Sequence, residues 1–548
     1  MSITGSELVA ETLKRLGVDS FFFVMGAPML GAEKASIERG IRGIDVRHEQ
    51  AAAMMAHAYS RIKNQPGVCM ACSGPGVLNF GTGLGTALVD CAPVVALGGS
   101  GPINEYLTGG FQEFDQVAAM KPLTKWAERV YETHRIPEII ALAFRKALSG
   151  KPGPVYVDLP GNVLYQSVEE ADIKWPDLRR PLKPARSQAD PVLVRDAIGL
   201  LKAAKRPVTI SGSGVLWSGA SAQLRQWMEL TGMPLYTTPQ GRGVVPEDHE
   251  GMFLNARSTA LKEADVVLVA GTRLNYVFGQ GRPPRFSPDA KLIRIDIDPS
   301  EIDNSARLDI GMVGDAGAVL EQLCAAAKGK IDSESYAPWR ARLRKIEMER
   351  RAKQEQSIST DQTPIHPLRL CKEIRDFMDR DAILVVDGQE ILNYGRQTIP
   401  TCTPGHRLNS GPFGTMGVGL PFGLGAKAAS PDSQVIVLHG DGSFGMNGME
   451  LDTAVRHRLP VMVVISLNGG WTADPNGEKP GRNLGYTRFD ELARSLGCHA
   501  EHVENPEDIR PALARAAKAV KAGTPALVNV VTDFAARAST VKFAASST

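Results

Sequence analysis

Apolar residues in this chain fall into short continuous runs separated by longer segments of helical spacing. The runs are 21–24, 67–71, 94–98 and 155–159, then 207–210, 265–269 and 291–297, then 382–386, 435–438, 461–467 and 526–531. A run without polar alternation suits a strand buried on both faces, and the helical segments between runs supply the covering layers of a parallel sheet. The pattern predicts an α/β chain of three doubly wound parallel-sheet domains, over 1–166, 192–330 and 362–535. Between them lie a Pro- and charge-rich linker, 167–191, and a connector, 331–361, whose charge run reads as an exposed helix face. A polar, basic tail, 536–548, follows.

Candidate chemistry concentrates in the third block. The run 435–438 ends in Gly440-Asp441-Gly442-Ser443, a helical segment follows, and the run 461–467 ends in Asn468-Gly469-Gly470. Parallel sheets hold ligands at the carboxyl ends of their strands. Asp441 offers a charged hard oxygen there and Asn468 a neutral one, a pair that suits Mg²⁺ sharing its other positions with phosphate and water. Gly440 and Gly442 let backbone N–H groups approach a phosphate closely. The bland alternative is a βαβ unit with two ordinary glycine turns. Asp387-Gly388-Gln389-Glu390 follows another strand-like run and can meet the same phosphate. Ser410 to Gly417 sets one large side chain, Met416, among glycines; it reads as a core methionine or as a wedge under a ligand. Glu49 stands just before an Ala-rich helix, where an acid ordinarily complements the helix dipole. Ser211 to Gly214, SGSG, reads as a tight turn, because the full dinucleotide pattern is absent. Cys69 and Cys72 form a CxxC within a strand-like run, with no second pair, and read as packing.

Composition narrows the class. The 548 residues carry 62 Lys+Arg and 60 Asp+Glu, a net charge of +2, which argues against a nucleic-acid binder relying on bulk positive charge. No apolar stretch reaches the roughly 18 residues of a membrane span. The N-terminus lacks a basic region followed by an apolar one, so no secretory signal is expected. Seven scattered cysteines, an odd number, fit a reducing compartment, and the expected location is the cytoplasm.

Gly440-Asp441-Gly442 followed at this spacing by Asn468 matches the thiamine diphosphate motif. HEQAA with AxxYSR around Glu49, and GTMGVG around Met416, resemble the corresponding segments of thiamine-diphosphate enzymes. The whole chain resembles that superfamily, which includes acetolactate synthase, benzaldehyde lyase, oxalyl-CoA decarboxylase and 2-hydroxyacyl-CoA lyase. The resemblance implies a pyrimidine domain, a middle domain and a diphosphate domain, in that order. It implies thiamine diphosphate and Mg²⁺ as cofactors, with Asp441, Asn468 and the Gly470 carbonyl on the metal. Gly388, Gln389, Glu390, Gly414, Met416, Gly440, Gly442, Ser443 and Asn468 would surround the cofactor. Met416 would bend it from beneath and the Gly414 carbonyl would face its amino group. Glu49 would activate its pyrimidine ring across a subunit interface, so a homodimer or homotetramer is expected. The usual Asn-Asn at the end of the motif is Asn468-Gly469 here, which leaves the presumed ligand in place.

Within the superfamily, Gly109 to Val117, GGFQEFDQV, resembles the 2-hydroxyacyl-CoA lyase segment. The Tyr-Glu pair of oxalyl-CoA decarboxylase is Phe111-Gln112 here, and Gln112 also matches the active-site Gln of benzaldehyde lyase. NYGRQTIP, HRLNSGPFGTMGVG and GSFGMNGMELDTAVRHRLPV resemble both CoA-using enzymes. The resemblance implies cleavage of a 2-hydroxyacyl-CoA, a class that takes in 2-hydroxyisobutyryl-CoA, to an aldehyde or ketone plus formyl-CoA. Glu478, in the Gly/Pro-rich loop after the metal motif, is the candidate base, and Asp474 is the other carboxylate of that loop. Gln112 and His48 are candidates to orient the oxygen that becomes charged; His48 reads equally as a structural residue at a helix start. Arg396, Arg407, Arg537 and Lys542 are candidate contacts for the CoA nucleotide, and Asp296 and Ile297 either face an adenosine or close a strand. Competing readings are oxalyl-CoA decarboxylase, a carboligase acting on free acyloins, and a non-catalytic thiamine-binding subunit.

Overall fold

The computed structural model describes residues 2–177, 184–304, 307–474 and 476–538. Three parallel sheets organise them, as the apolar runs predict. In the first, Arg42–Asp45, Ser20–Val24, Gly67–Ala71, Val94–Ser100, Val155–Pro160 and Trp126–Arg129 lie side by side in that order. The middle sheet runs Leu235–Thr237, Pro207–Ser211, Val266–Ala270, Lys291–Asp296, Ile310–Val313. The third runs Arg407–Leu408, Ile383–Asp387, Val435–Gly440, Met462–Leu467, Ala526–Val531, His499–Val503. In the third sheet Asp387 pairs with His439 and Gly440 with Ser466, so the loops after these three strands leave from one edge.

Each apolar run is a strand, within a residue or two. The six strands of these three sheets without such a run, Arg42–Asp45, Trp126–Arg129, Leu235–Thr237, Ile310–Val313, Arg407–Leu408 and His499–Val503, all lie at sheet edges. An edge strand pairs on one side only and is short or partly polar, so it lacks the continuous apolar signature of an interior strand.

The first and third domains share a core. The Ala-rich helix Glu49–Lys63 packs on Gly419–Ala429 so closely that a Cβ at Gly425 would lie 2.3 Å from the Met55 carbonyl oxygen. The connector contains the helix Ala337–Ile358. Its Trp339 and Leu343 are buried in the middle domain, and its Glu347 accepts from the Asn255 amide at 2.6 Å. Its far end reaches the third domain, where Gln354 donates to the Gln397 carbonyl at 2.9 Å and Glu355 pairs with Arg375 at 2.6 Å. The helix is therefore a strut between two domains as well as an exposed charged face. Among the described residues no helix is long and apolar enough to cross a membrane.

Candidate active site

The carboxyl ends of Ile383–Asp387, Val435–Gly440 and Met462–Leu467 open on a small cavity of about 30 Å³. Gly388, Gln389, Glu390, Met416, Gly440, Asp441, Gly442, Ser443, Asn468 and Gly470 line it, together with Pro367, Trp471, Asp533 and Ala536, which sequence reasoning missed. Asp441 is 4% exposed; its carboxylate accepts from the Gly442 amide at 2.9 Å and from the Gly470 amide at 2.9 Å. Burial still raises its carboxyl to about 6, because these amides and the Arg482 guanidinium offset only part of the lost hydration. A carboxylate in that position gains from a cation. Asn468 Oδ1 accepts from the Gly470 amide at 3.2 Å, and Arg482 pins the strand's exit by donating to the carbonyls of Asn468 at 3.0 Å and Thr472 at 2.7 Å. A carboxylate, a side-chain amide and a backbone carbonyl are hard oxygen donors, and among the described residues no cluster of three His, Cys, Asp or Glu offers a softer or all-protein site. These residues fit a Mg²⁺ ion shared with phosphate.

The surroundings keep the cradle tight. A Cβ at Gly442 would lie 2.6 Å from the Trp471 ring, so the helix Asp441–Asn447 starts under that indole only because position 442 is glycine. Ser443 Oγ donates to the Gly440 carbonyl at 3.0 Å. Beneath it, burial lowers His439 to about 3, which leaves the imidazole neutral. Glu390 accepts from Thr472 Oγ1 at 3.1 Å and from the Ala538 amide at 3.0 Å, tying the following loop and the start of the tail to the cavity mouth.

Gly388, Gln389 and Met416 also line a second cavity, of about 410 Å³, where the middle and third domains meet the first, which contributes Asp90, Cys91 and Lys151 to its wall. Gly414 lines it as well, and its far wall is the carboxyl edge of the middle sheet, including Ser213, Gly214, Asp296 and Ile297. Arg257 and Arg396 line both this cavity and a third, of about 910 Å³, beneath the strut helix. Arg242 beside them is neutralised by Glu247, its Nε donating at 2.6 Å. Among the described residues neither Arg257 nor Arg396 has a carboxylate within ion-pair distance. Burial, with Arg242 and Arg257 close by, lowers the Arg396 guanidinium to about 10; burial, with Arg285 and Arg242, lowers Arg257. Two half-buried, unpaired guanidiniums form a seat for an anion. Arg257 escaped sequence reasoning because a single arginine at a helix start carries no signal.

Arg407 is 2% exposed, lines none of the three cavities and donates to the Ile399 carbonyl at 3.4 Å. Arg537 is exposed and lines none of them either, and Lys542 lies outside the described residues.

The other candidates stand elsewhere. Glu49, 8% exposed, opens its helix, and its Oε2 accepts from Asn79 Nδ2 at 2.8 Å. His48 is that helix's N-cap, its Nδ1 accepting from the Gln50 amide at 3.1 Å. Gln112 takes a left-handed backbone, φ +57°, and its Oε1 accepts from Ser73 Oγ at 2.7 Å. None of these three lines any of the three cavities of its own chain. Glu478 is exposed, whereas Asp474 spends its oxygens on the amides of Glu478 at 3.2 Å and Lys479 at 3.0 Å, as a turn former. Within one chain, then, Glu49 does not line the cavity that Asp441 and Asn468 line.

Three family models match the chain: the N-terminal TPP binding domain of thiamine pyrophosphate enzymes over 3–119, their central domain over 194–323 and their C-terminal TPP binding domain over 392–530. It is 33% identical to 2-hydroxyacyl-CoA lyase 1 of Mus musculus, over 97% of this chain and 94% of that one. It is 32% identical to oxalyl-CoA decarboxylase of Escherichia coli, over 97% and 95%, and 35% identical to acetolactate synthase large subunit IlvG of Mycobacterium tuberculosis, over 96% and 95%. With three domains matched and relatives aligned over nearly their whole length, the chain belongs to the thiamine pyrophosphate (thiamine diphosphate) enzyme family and is a carbon–carbon lyase of that family.

Proposed function

We propose that the chain is a 2-hydroxyacyl-CoA lyase that uses thiamine diphosphate and Mg²⁺. It breaks the bond between the carbinol carbon and the thioester carbon, the hydroxyl proton is lost, the thioester carbon gains a proton, and an aldehyde or ketone leaves beside formyl-CoA. The observation that carries the CoA part is the unpaired Arg257–Arg396 neck, one cavity away from the metal cradle. Phosphates of a CoA thioester suit it, and the pantetheine arm would lie in the 410 Å³ cavity with the acyl end at Met416. A free acyloin would leave those guanidiniums without a partner.

The bound cofactor supplies an electron sink for the bond that breaks. Asp441, Asn468 and the Gly470 carbonyl hold the metal that tethers the diphosphate. Met416, shared by the first two cavities, supports the cofactor where diphosphate and substrate spaces meet. Glu49 serves a cofactor held by the third domain of a second copy, which makes the active form at least a homodimer. Gln112 orients the oxygen that becomes charged, and Glu478, from the exposed loop, takes the hydroxyl proton. His48 shapes the helix start and is left out of the proton path.

Protein loaded with thiamine diphosphate and Mg²⁺ is to be given 2-hydroxyisobutyryl-CoA, oxalyl-CoA and benzoin in parallel. Formyl-CoA and acetone from the first support the proposal. Carbon dioxide from oxalyl-CoA alone, or benzaldehyde from benzoin alone, contradicts it.

A further inference from the structure

We propose that Glu450 is a positioning residue for Glu49: a carboxylate of the third domain that holds the loop from which the activating acid projects. The inference rests on the reading of Glu49 given above. Glu450 is 1% exposed and opens the helix Glu450–Arg456, which follows the metal-site helix Asp441–Asn447 after a two-residue turn. Its carboxylate reaches across the domain boundary and accepts from the Arg47 amide, at 3.1 Å to one oxygen and 3.3 Å to the other. The His48 amide faces the same carboxylate, and Thr453 Oγ1 donates to it at 2.6 Å. Arg47 and His48 are the two residues before Glu49.

The same element clamps the loop from its other side. Arg47 Nη1 meets Asp452 at 3.4 Å, Arg456 donates to the Asp45 carbonyl at 3.1 Å, and His457 Nε2 meets Asp45 Oδ1 at 2.6 Å. The Arg47–Asp452 and Arg456–Asp45 contacts are exposed and screened by solvent, whereas the Arg47 amide meets a carboxylate that is itself 1% exposed, and an amide that loses such an acceptor is costly. A carboxylate buried between domains is expensive to keep, and here both its oxygens go to the backbone that aims Glu49. Among the described residues Glu49 has Asn79 as its one side-chain donor, so its direction depends on how that loop and helix start are held.

The test uses Glu450→Gln, Thr453→Val and Glu49→Gln in the full-length protein, alone and combined. In cofactor-free protein, hydrogen exchange of the Arg47 and His48 amides should quicken in Glu450→Gln while other domain-boundary amides keep their protection. Unchanged protection overturns the inference. In loaded protein Glu450→Gln should lower kcat by about tenfold or more with little change in cofactor affinity. Thr453→Val, which removes only the buttressing hydroxyl, should shift both readouts less and in the same direction, and it carries the test should Glu450→Gln fail to fold. The double variant Glu49→Gln/Glu450→Gln should turn over like Glu49→Gln alone, because Glu450 acts through Glu49. A full additional loss in the double variant overturns the inference. Full activity of Glu49→Gln would instead refute the reading of the site, whatever the amides do.

Discussion

In the third domain, Asp441, Asn468 and Gly470 belong to one strand–helix–strand unit, and the Asp441 and Asn468 side chains accept from the amides of Gly442 and Gly470 at 2.9 to 3.2 Å. In the first domain, Glu49 and Gln112 stand on separate segments and owe their positions to Asn79, Ser73 and a helix from another domain. The first arrangement is a local consequence of strand register: the loops after Asp387, Gly440 and Leu467 leave one edge together. The second is a consequence of tertiary packing, and it lines none of the three cavities described above. A tether for phosphate and metal can be local, because the ion organises few ligands. An acid that must meet a ring held elsewhere cannot.

The sharpest way to break this contrast is to neutralise the remote half. Glu49→Gln should lower kcat by about 10²- to 10⁴-fold, the usual worth of a positioned proton-transfer group, while thiamine diphosphate still binds, as read by calorimetry. Loss of binding equal to the loss of turnover would put Glu49 in the tether instead. Asp441→Ala attacks the local half; cofactor affinity in Mg²⁺ should fall by about 100-fold, and excess cofactor should restore part of the activity. Retained affinity would remove the carboxylate from the metal site. Arg257→Ala and Arg396→Ala lie outside both halves; each should raise KM for the CoA ester about tenfold with kcat held, and leave cofactor affinity alone.

The smallest effect concerns Glu33, a first-domain carboxyl that is 1% exposed. Burial, only partly offset by the Gly26 amide, raises it from 4.5 to about 8. Between those values the folded state binds the proton that the unfolded state has released, so stability falls as pH rises through that window. Glu33→Gln should flatten the decline, by about 1.4 kcal/mol per pH unit at most, in melts followed from pH 5 to 8. Parallel pH slopes for the two proteins would show that Glu33 is not the titrating group.

Legibility in the sequence follows the same division. Interior strands showed themselves as apolar runs, and the residues that line the small cavity as Gly-Asp-Gly with a later Asn, because both are written within one strand–helix–strand unit. Edge strands such as Arg42–Asp45 and His499–Val503 did not, since their single neighbour imposes no apolar pattern. Arg257, Trp471 and Glu450 were invisible for a different reason: each matters through a residue distant in sequence, and no local spacing marks it. The burial of Arg407, 2% exposed, was equally invisible, because it too is set by residues distant in sequence. The family resemblance supplied what spacing could not, the expectation that Glu49 serves a cofactor held by another domain.

That pairing is tested most directly by mixing two impaired variants, Glu49→Gln and Asp441→Ala, at a cofactor concentration too low to rescue the second and under conditions that allow subunits to exchange. With each active site drawing its acid from one copy and its metal cradle from the other, hybrid dimers hold one intact site beside one doubly altered site, and the mixture should recover activity that neither variant has alone. A mixture that exchanges subunits yet stays inactive would contradict the account, because Glu49 and Asp441 of a single chain would then serve the same site.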